Sequence, residues 1–230
     1  MKAMVLAAGL GTRLRPITNT RPKALVETGG RTLLEITLSR LKSFGIRDVI
    51  VNVHHFADMV VDYLEANGNF GIHIEISHED VLLDTGGGLK KAGWFFGKNP
   101  DEPFILHNVD LITTIDLNRM LEFHVGSKAL ATLAVQDRKT SRYLLFDEQH
   151  RLCGRSPQPD PKFQSLGFAG IHVISPRLLS MMPDEDVFSI IPCYVDVAAR
   201  GERIIGFRAD EYEWRDLGRP ANLEAGRTST

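Results

Sequence analysis

Apolar residues in this chain come in short runs that alternate with stretches of helical spacing. Residues 4–8 (MVLAA) form an apolar run closed by Gly9, the pattern of a buried strand. Over 33–44, Leu34, Leu38 and Leu41 recur at helical intervals, and Gly45 follows as a stop. Residues 48–53 (DVIVNV) read as a second strand, 57–64 as a helix and 73–76 as a strand. A third apolar run at 104–106 leads into His107-Asn108-Val109-Asp110. Residues 116–123 read as a helix with Asp116 at its N-cap, and 130–135 as a further strand. Strand and helix alternate throughout, which by itself predicts a parallel sheet with helices on both faces.

From Tyr143 the texture changes. Residues 143–146, 151–155 and 166–174 read as shorter strands, with a proline-rich turn at 157–161 between two of them. That pattern predicts an antiparallel insertion rather than more strand–helix–strand units. Helices over 176–182 and 188–200 and a strand over 203–207 follow, and residues 226–230 read as a frayed tail. No internal repeat and no low-complexity tract is present.

Composition narrows the function classes. With 230 residues, 43% hydrophobic and 24% charged, the chain can bury a core of one large α/β domain or two small ones. A net charge of −2 draws it to neither nucleic acid nor an anionic membrane. The apolar stretch ending at Gly9 is too short for a signal-peptide core, and no run reaches the roughly 18 apolar residues of a membrane span. The two cysteines, Cys153 and Cys193, belong to no CxxC pair, so neither a zinc site nor a disulfide framework is expected. Reduced thiols and a cytoplasmic location are the expectation.

The candidate chemistry begins at Gly9-Leu10-Gly11-Thr12-Arg13-Leu14-Arg15-Pro16, directly after the first strand. Glycines there let backbone N–H groups approach an anion. A dinucleotide fingerprint would need a third glycine, where Leu14 stands, and a carboxylate at the end of the second strand, where the chain reads Asn52-Val53-His54-His55. A Walker loop would need Gly-Lys-Ser/Thr, which is absent. Between Gly11 and Arg31 the chain carries Arg13, Arg15, Arg21, Lys23 and Arg31 against Glu27 alone, a local excess of positive charge in an acidic chain. Such a run is often a solvated face. Coupled to a glycine turn after a buried strand, it points to phosphate, which arginine grips in bidentate fashion and lysine meets as a compact charge.

Residues 6–16 (LAAGLGTRLRP), Thr18 and Pro22-Lys23-Ala24-Leu25 together resemble the signature of the sugar-1-phosphate nucleotidyltransferases, the NDP-sugar pyrophosphorylases. The resemblance covers nearly the whole chain. It implies a three-layer Rossmann-like α/β fold with a mixed, mainly parallel sheet, in a single domain whose residues 1–140 bind nucleotide and 141–225 bind sugar. It implies that Ala7, Ala8, Gly9, Gly11 and Thr12 wrap the triphosphate, with Arg13 on the phosphates and Lys23 holding the reacting groups.

Nucleotidyl transfer between anions needs charge neutralisation, usually by Mg²⁺ on carboxylates. Asp110 follows an apolar strand, where open α/β sheets gather ligand residues, and Asp216 lies in Trp214-Arg215-Asp216-Leu217-Gly218. Taken alone, either aspartate could be a helix cap or turn residue. The resemblance instead makes both Mg²⁺ ligands and puts Asn108 beside the nucleotide. In Leu83-Asp84-Thr85-Gly86-Gly87-Gly88 a plain turn is the bland alternative; the resemblance places Gly86 and Gly87 against base and sugar, ahead of a helix including residues 89–94. It places Gly167 and Phe168 on the sugar-facing strand, near a helix start at Phe188-Ser189. There are two departures: many relatives carry an acid near Val81, whose loss is expected to weaken one sugar contact, and many carry glycine where Tyr143 stands, which points to a different sugar.

The glycine triplet and short length are most similar to the N-acetylmuramate 1-phosphate uridylyltransferase type of cell-wall recycling, with Arg142 as partner for the sugar's lactyl carboxylate. Mannose-1-phosphate guanylyltransfer and a nucleotide-sugar-dependent glycosyltransferase remain alternatives; the latter would want Asp-x-Asp where Asn108-Val109-Asp110 stands. The implied partners are a nucleoside triphosphate and a sugar 1-phosphate, with no nucleic acid and no membrane, in a monomer or small homo-oligomer. His54 and His55, adjacent on a strand, point to opposite faces and make a poor metal pair. His107 fits either the site or the core, and Trp94-Phe95-Phe96 reads as core or interface.

Overall fold

The computed structural model describes residues 1–96 and 101–218. The residues read as a frayed tail lie outside this range. Strands β1 (Lys2–Leu6), β2 (Glu27–Thr28), β3 (Arg31–Thr32), β4 (Asp48–Val53), β5 (His73–His78), β6 (Phe104–Asn108), β7 (Leu111–Thr113), β8 (Ala131–Gln136), β9 (Tyr143–Phe146), β10 (Leu152–Ser156), β11 (Gln164–Ile174), β12 (Ile204–Arg208) and β13 (Trp214–Asp216) alternate with helices α1 (Leu33–Ser43), α2 (Ala57–Ala66), α3 (Asp84–Lys91), α4 (Leu117–Ser127) and α5 (Ile190–Ala199).

The central strands run parallel in the order β6-β1-β4-β5, and β11 then reverses direction beside β6. The sheet is therefore mixed, as the family resemblance implied and as alternation alone did not. β8 lies antiparallel on the other edge of β11, and β12 pairs parallel with β8. β11 is long enough to serve two neighbours on one edge. Its first part pairs with β9 and its last four residues pair with β6. The change occurs at Gly170, whose φ of 77° lies in the left-handed region.

Side chains of each central strand point alternately to two cores. Ala3 and Val5 of β1 join Val49, Val51 and Val53 of β4 under α1, α2 and α4, through Leu34, Leu38, Val60, Leu64 and Met120. Met4 and Ile50 face the other way, against Leu89 of α3 and Tyr194 and Val197 of α5. This makes three layers. Asp116 caps α4, accepting from the backbone N–H of Asn118 (2.9 Å) and Arg119 (3.1 Å). Residues 176–181, read as a helix, form a 3-10 turn, and Phe95 and Phe96 are core while Trp94 is exposed.

Two corrections concern elements near the site. α3 starts at Asp84, so the glycine triplet lies inside the helix rather than ahead of it, and the helix ends at Lys91 rather than spanning 89–94. The pairing of β13 with β7, three residues each, was not anticipated; strands that short carry no readable alternation.

Candidate active site

The glycine loop leaves β1 at the carboxyl edge of the sheet, where Gly11 takes a φ of 64° and starts a 3-10 turn over Thr12–Leu14. Thr18 closes the loop by donating its hydroxyl to the Gly11 carbonyl (2.8 Å). Gly9 is exposed, with nothing within 4 Å of where a Cβ would sit. Gly11 is packed: an added Cβ would meet Thr18 Cγ2 at 2.8 Å and Lys23 Cβ at 3.1 Å. The loop thus seats the stem of Lys23 while leaving space over Gly9. Ala7 and Ala8 are buried, and the Ala7 N–H donates to Asn52 Oδ1 (2.7 Å), so that amide already has a partner within the chain. Thr12 and Arg13 are exposed.

Lys23 reaches across the loop to Asp110 and forms an ion pair with its Oδ2, both side chains largely buried. Asp110 follows β6, and the strand pair β7–β13 sets Asp216 opposite Leu111, next to it. The Leu217 N–H donates to the Asp110 carbonyl (2.8 Å) and the Gly218 N–H to Asp216 Oδ1 (2.8 Å), fixing the turn after β13. Arg13 Nη1 lies 3.8 Å from Asp216 Oδ2. A Cβ on Gly218 would stand 2.7 Å from Asp110 Oδ2, 2.8 Å from Asp216 Oδ1 and 2.6 Å from Arg13 Nη2. Two carboxylate oxygens therefore converge on one spot beside two cations.

Among the described residues no cluster of three or more His, Cys, Asp or Glu forms a protein-only metal cage. The aspartate pair suits Mg²⁺, which is held by one or two carboxylates and completes its octahedron with water and substrate phosphates. His54, set aside as a metal ligand, donates to the Glu79 carbonyl (2.8 Å).

A cleft of about 1010 Å³ opens from this pair toward β9, β10 and the bend of β11. Asn108, Arg142, Phe168 and Tyr143 line it, as do Ser189 and Gly170. Arg138 and Arg155 also line it and were not singled out from the sequence. Arg138 follows β8 and Arg155 lies near the end of β10, so charge beside a strand end was the available signal. Arg138 stacks over Trp214 (4.2 Å) and donates to the Phe168 carbonyl (2.6 Å). Gly167 is buried beneath Arg138, 2.9 Å from where a Cβ would be, so it shapes the wall through that arginine. Tyr143 is buried and its hydroxyl accepts from Thr140 N (3.3 Å).

Gly86 and Gly87 stand elsewhere. Their N–H groups both donate to the Phe188 carbonyl, at 2.9 and 3.2 Å, and neither lines the cleft. His107 is fully buried, its Nδ1 donating to the Asn108 carbonyl (2.7 Å); burial, with Arg40 nearby, pushes its pKa down to about 4.

A family profile described as "Nucleotidyl transferase" matches residues 2–151, a span that includes the glycine loop, Lys23 and Asp110. The chain belongs to the nucleotidyl transferase family. Among curated relatives of this family, an N-acetylmuramate alpha-1-phosphate uridylyltransferase of Caulobacter vibrioides is 36% identical, with 95% of this chain and 92% of that protein covered. A mannose-1-phosphate guanyltransferase of Yarrowia lipolytica is 29% identical over 98% of this chain, which spans 63% of that longer protein. The nucleotidyl transferase fold also recurs in a solved structure of a putative glucose-1-phosphate thymidylyltransferase from Bacillus anthracis, with a TM-score of 0.83, 21% identity and coverage of 98% of this chain and 93% of that one.

Proposed function

We propose that this nucleotidyl transferase joins a nucleoside triphosphate to a sugar 1-phosphate, releasing pyrophosphate and depending on Mg²⁺. The observation that carries the reading is the convergence of Asp110 and Asp216 beside Lys23 and Arg13, at the mouth of a cleft lined by further arginines. Asp110 and Asp216 would hold Mg²⁺, which supplies charge neutralisation between the two phosphates. Lys23 and Arg13, now paired with those carboxylates, would turn to the phosphate oxygens of the substrates. The sugar phosphate oxygen attacks the α-phosphorus in line. It is already ionised at neutral pH, so the chain need supply only position and charge, and no general base.

For the substrates we infer UTP and N-acetylmuramate 1-phosphate, on the strength of the Caulobacter relative, matched over 95% of this chain and 92% of its own length. The lactyl carboxylate of that sugar complements the arginine-lined end of the cleft, with Arg142 exposed toward it. The guanylyl alternative, with mannose 1-phosphate, rests on the relatives of that name. Residues 1–140 would serve the nucleotide and 141–225 the sugar, in a cytoplasmic enzyme of cell-wall precursor recycling.

The test is pyrophosphate release with Mg²⁺, crossing UTP, GTP, CTP and dTTP with muramate, mannose, glucose and N-acetylglucosamine 1-phosphates. Turnover is expected with UTP and the muramate. Asp110→Asn should lower kcat by at least about 100-fold, since losing even a partner behind a metal ligand costs about 10- to 100-fold. Silence across the grid from folded protein would sink the reading. Arg142→Ala should erode selectivity for the muramate over N-acetylglucosamine; unchanged selectivity would remove Arg142 from the account.

A further inference from the structure

Asn52 interrupts the apolar run of β4, and Glu79 follows β5. They are 2% and 4% exposed. A polar group so buried must find partners, and these two find each other. Asn52 points to the α3 face of the sheet, as does Ile50 two residues earlier. Its Oδ1 accepts from Ala7 N–H (2.7 Å), at the root of the glycine loop. Its Nδ2 donates to Glu79 Oε1 (2.7 Å). Glu79 Oε2 accepts from Leu83 N–H (3.0 Å), at the threshold of α3. Gly88 makes room: a Cβ there would stand 2.7 Å from Glu79 Oε1 and 2.9 Å from Asn52 Nδ2. The chain of bonds runs from the backbone of one loop to the backbone of another, through side chains of two almost wholly buried residues.

We propose that Asn52 and Glu79 are positioning residues that hold the glycine loop and the 79–84 segment in one register for the nucleoside triphosphate. The inference rests on reading the glycine loop as the triphosphate site. Polarity along the relay is fixed at every link. A carboxylate has acceptors only, and an amide has one accepting and one donating end. Glu79→Gln alone leaves one donor facing another, whichever way the two amides turn. Asn52→Asp alone sets two carboxylates face to face. The double change N52D/E79Q restores a donor against an acceptor at each link, with amide and acid exchanged.

The experiment measures KM for UTP and for the sugar 1-phosphate in the three variants, with UTP and GTP affinities read directly by calorimetry and thermal unfolding in parallel. Each single variant should raise the UTP KM by about tenfold, the scale of one mispaired buried hydrogen bond, and leave the sugar 1-phosphate KM within about twofold. The double variant should return to within about threefold of wild type, a coupling that independent sites do not show. Folded single variants with unchanged UTP KM would overturn the proposal. So would equal rises in both KM values, which mark a general structural defect. If the single variants do not fold, a folded double variant with near wild-type UTP affinity supports the relay, and one that stays unfolded or weak overturns it. A wild-type protein that binds nucleotide but turns over no sugar phosphate would sink the proposed reaction while the calorimetry still tests the relay.

Discussion

Gly9, at the head of the first loop, and the triplet 86–88 do opposite things with the space that a missing side chain leaves. Over Gly9 that space is empty and faces solvent at the carboxyl edge of the sheet. In the triplet it is filled by the protein itself, by a different neighbour at each position. Gly86 lies against the Phe188 ring, Gly87 against the Asp186 carbonyl, and Gly88 against Glu79 and Asn52. Both segments read alike in sequence. A glycine reports that something comes close and is silent on whether that something is ligand or chain.

Substitutions that add one methyl group break this contrast most directly. Gly87→Ala drives a Cβ into backbone that cannot swing aside, and should cost about 3 kcal/mol of stability, or roughly 10 °C in Tm. A Tm within about 2 °C of wild type would show that the 184–189 segment gives way at little cost. Gly9→Ala should behave in the reverse manner. Stability should stay within about 0.5 kcal/mol, while the KM for the nucleoside triphosphate rises about tenfold or more as the phosphates lose their approach. Denaturant titration and steady-state kinetics on the pair decide it; equal effects of both substitutions on folding would erase the distinction.

The smallest effect is a graded one with pH, and it belongs to the sheet rather than to either glycine segment. Burial pushes His107 and His124 down to about 4, and burial together with His107 pushes His172 down to about 3. Unfolded histidine titrates near 6.5, so below that pH the unfolded chain takes up protons that the folded chain refuses. Stability is complete above about pH 6.5 and falls on acidification toward pH 4, by about 1 kcal/mol per pH unit for each histidine inside the window. Urea midpoints at pH 7, 6 and 5 check the slope. A midpoint independent of pH would mean that these side chains are protonated in the folded state. His124, bonded to Thr132 Oγ1 (2.9 Å) and Ser175 Oγ (3.1 Å), is the one whose removal should flatten the curve without touching the cleft.

Much of the fold was legible because its strands are continuous apolar runs and its helices keep their spacing. The run 48–53 matches β4 residue for residue, and Asp116 caps α4 as expected. The mixed sheet was not legible in alternation, because nothing in the local pattern of residues 166–174 says which strand lies beside them. Asp110 stood out at the end of its strand. Its proximity to Asp216 did not, since β7 and β13 are too short to show a period and their pairing spans most of the second half of the chain. Asn52 carried a readable signal that went unused: an amide inside DVIVNV must be satisfied by something. The arginines of the cleft come from the first loop, the β8–β9 loop and β10, and these segments meet only through topology.

The β7–β13 pair also sets a timetable. Asp110 is made after Lys23 and the whole glycine loop, but its neighbouring carboxylate rides on β13, the last strand among the described residues. Closing a loop of about a hundred residues costs entropy that local contacts cannot offset until β13 docks. A nascent chain can therefore form its parallel sheet while its two carboxylates remain apart. The two carboxylates therefore come together only once β13 has been made and has docked on β7.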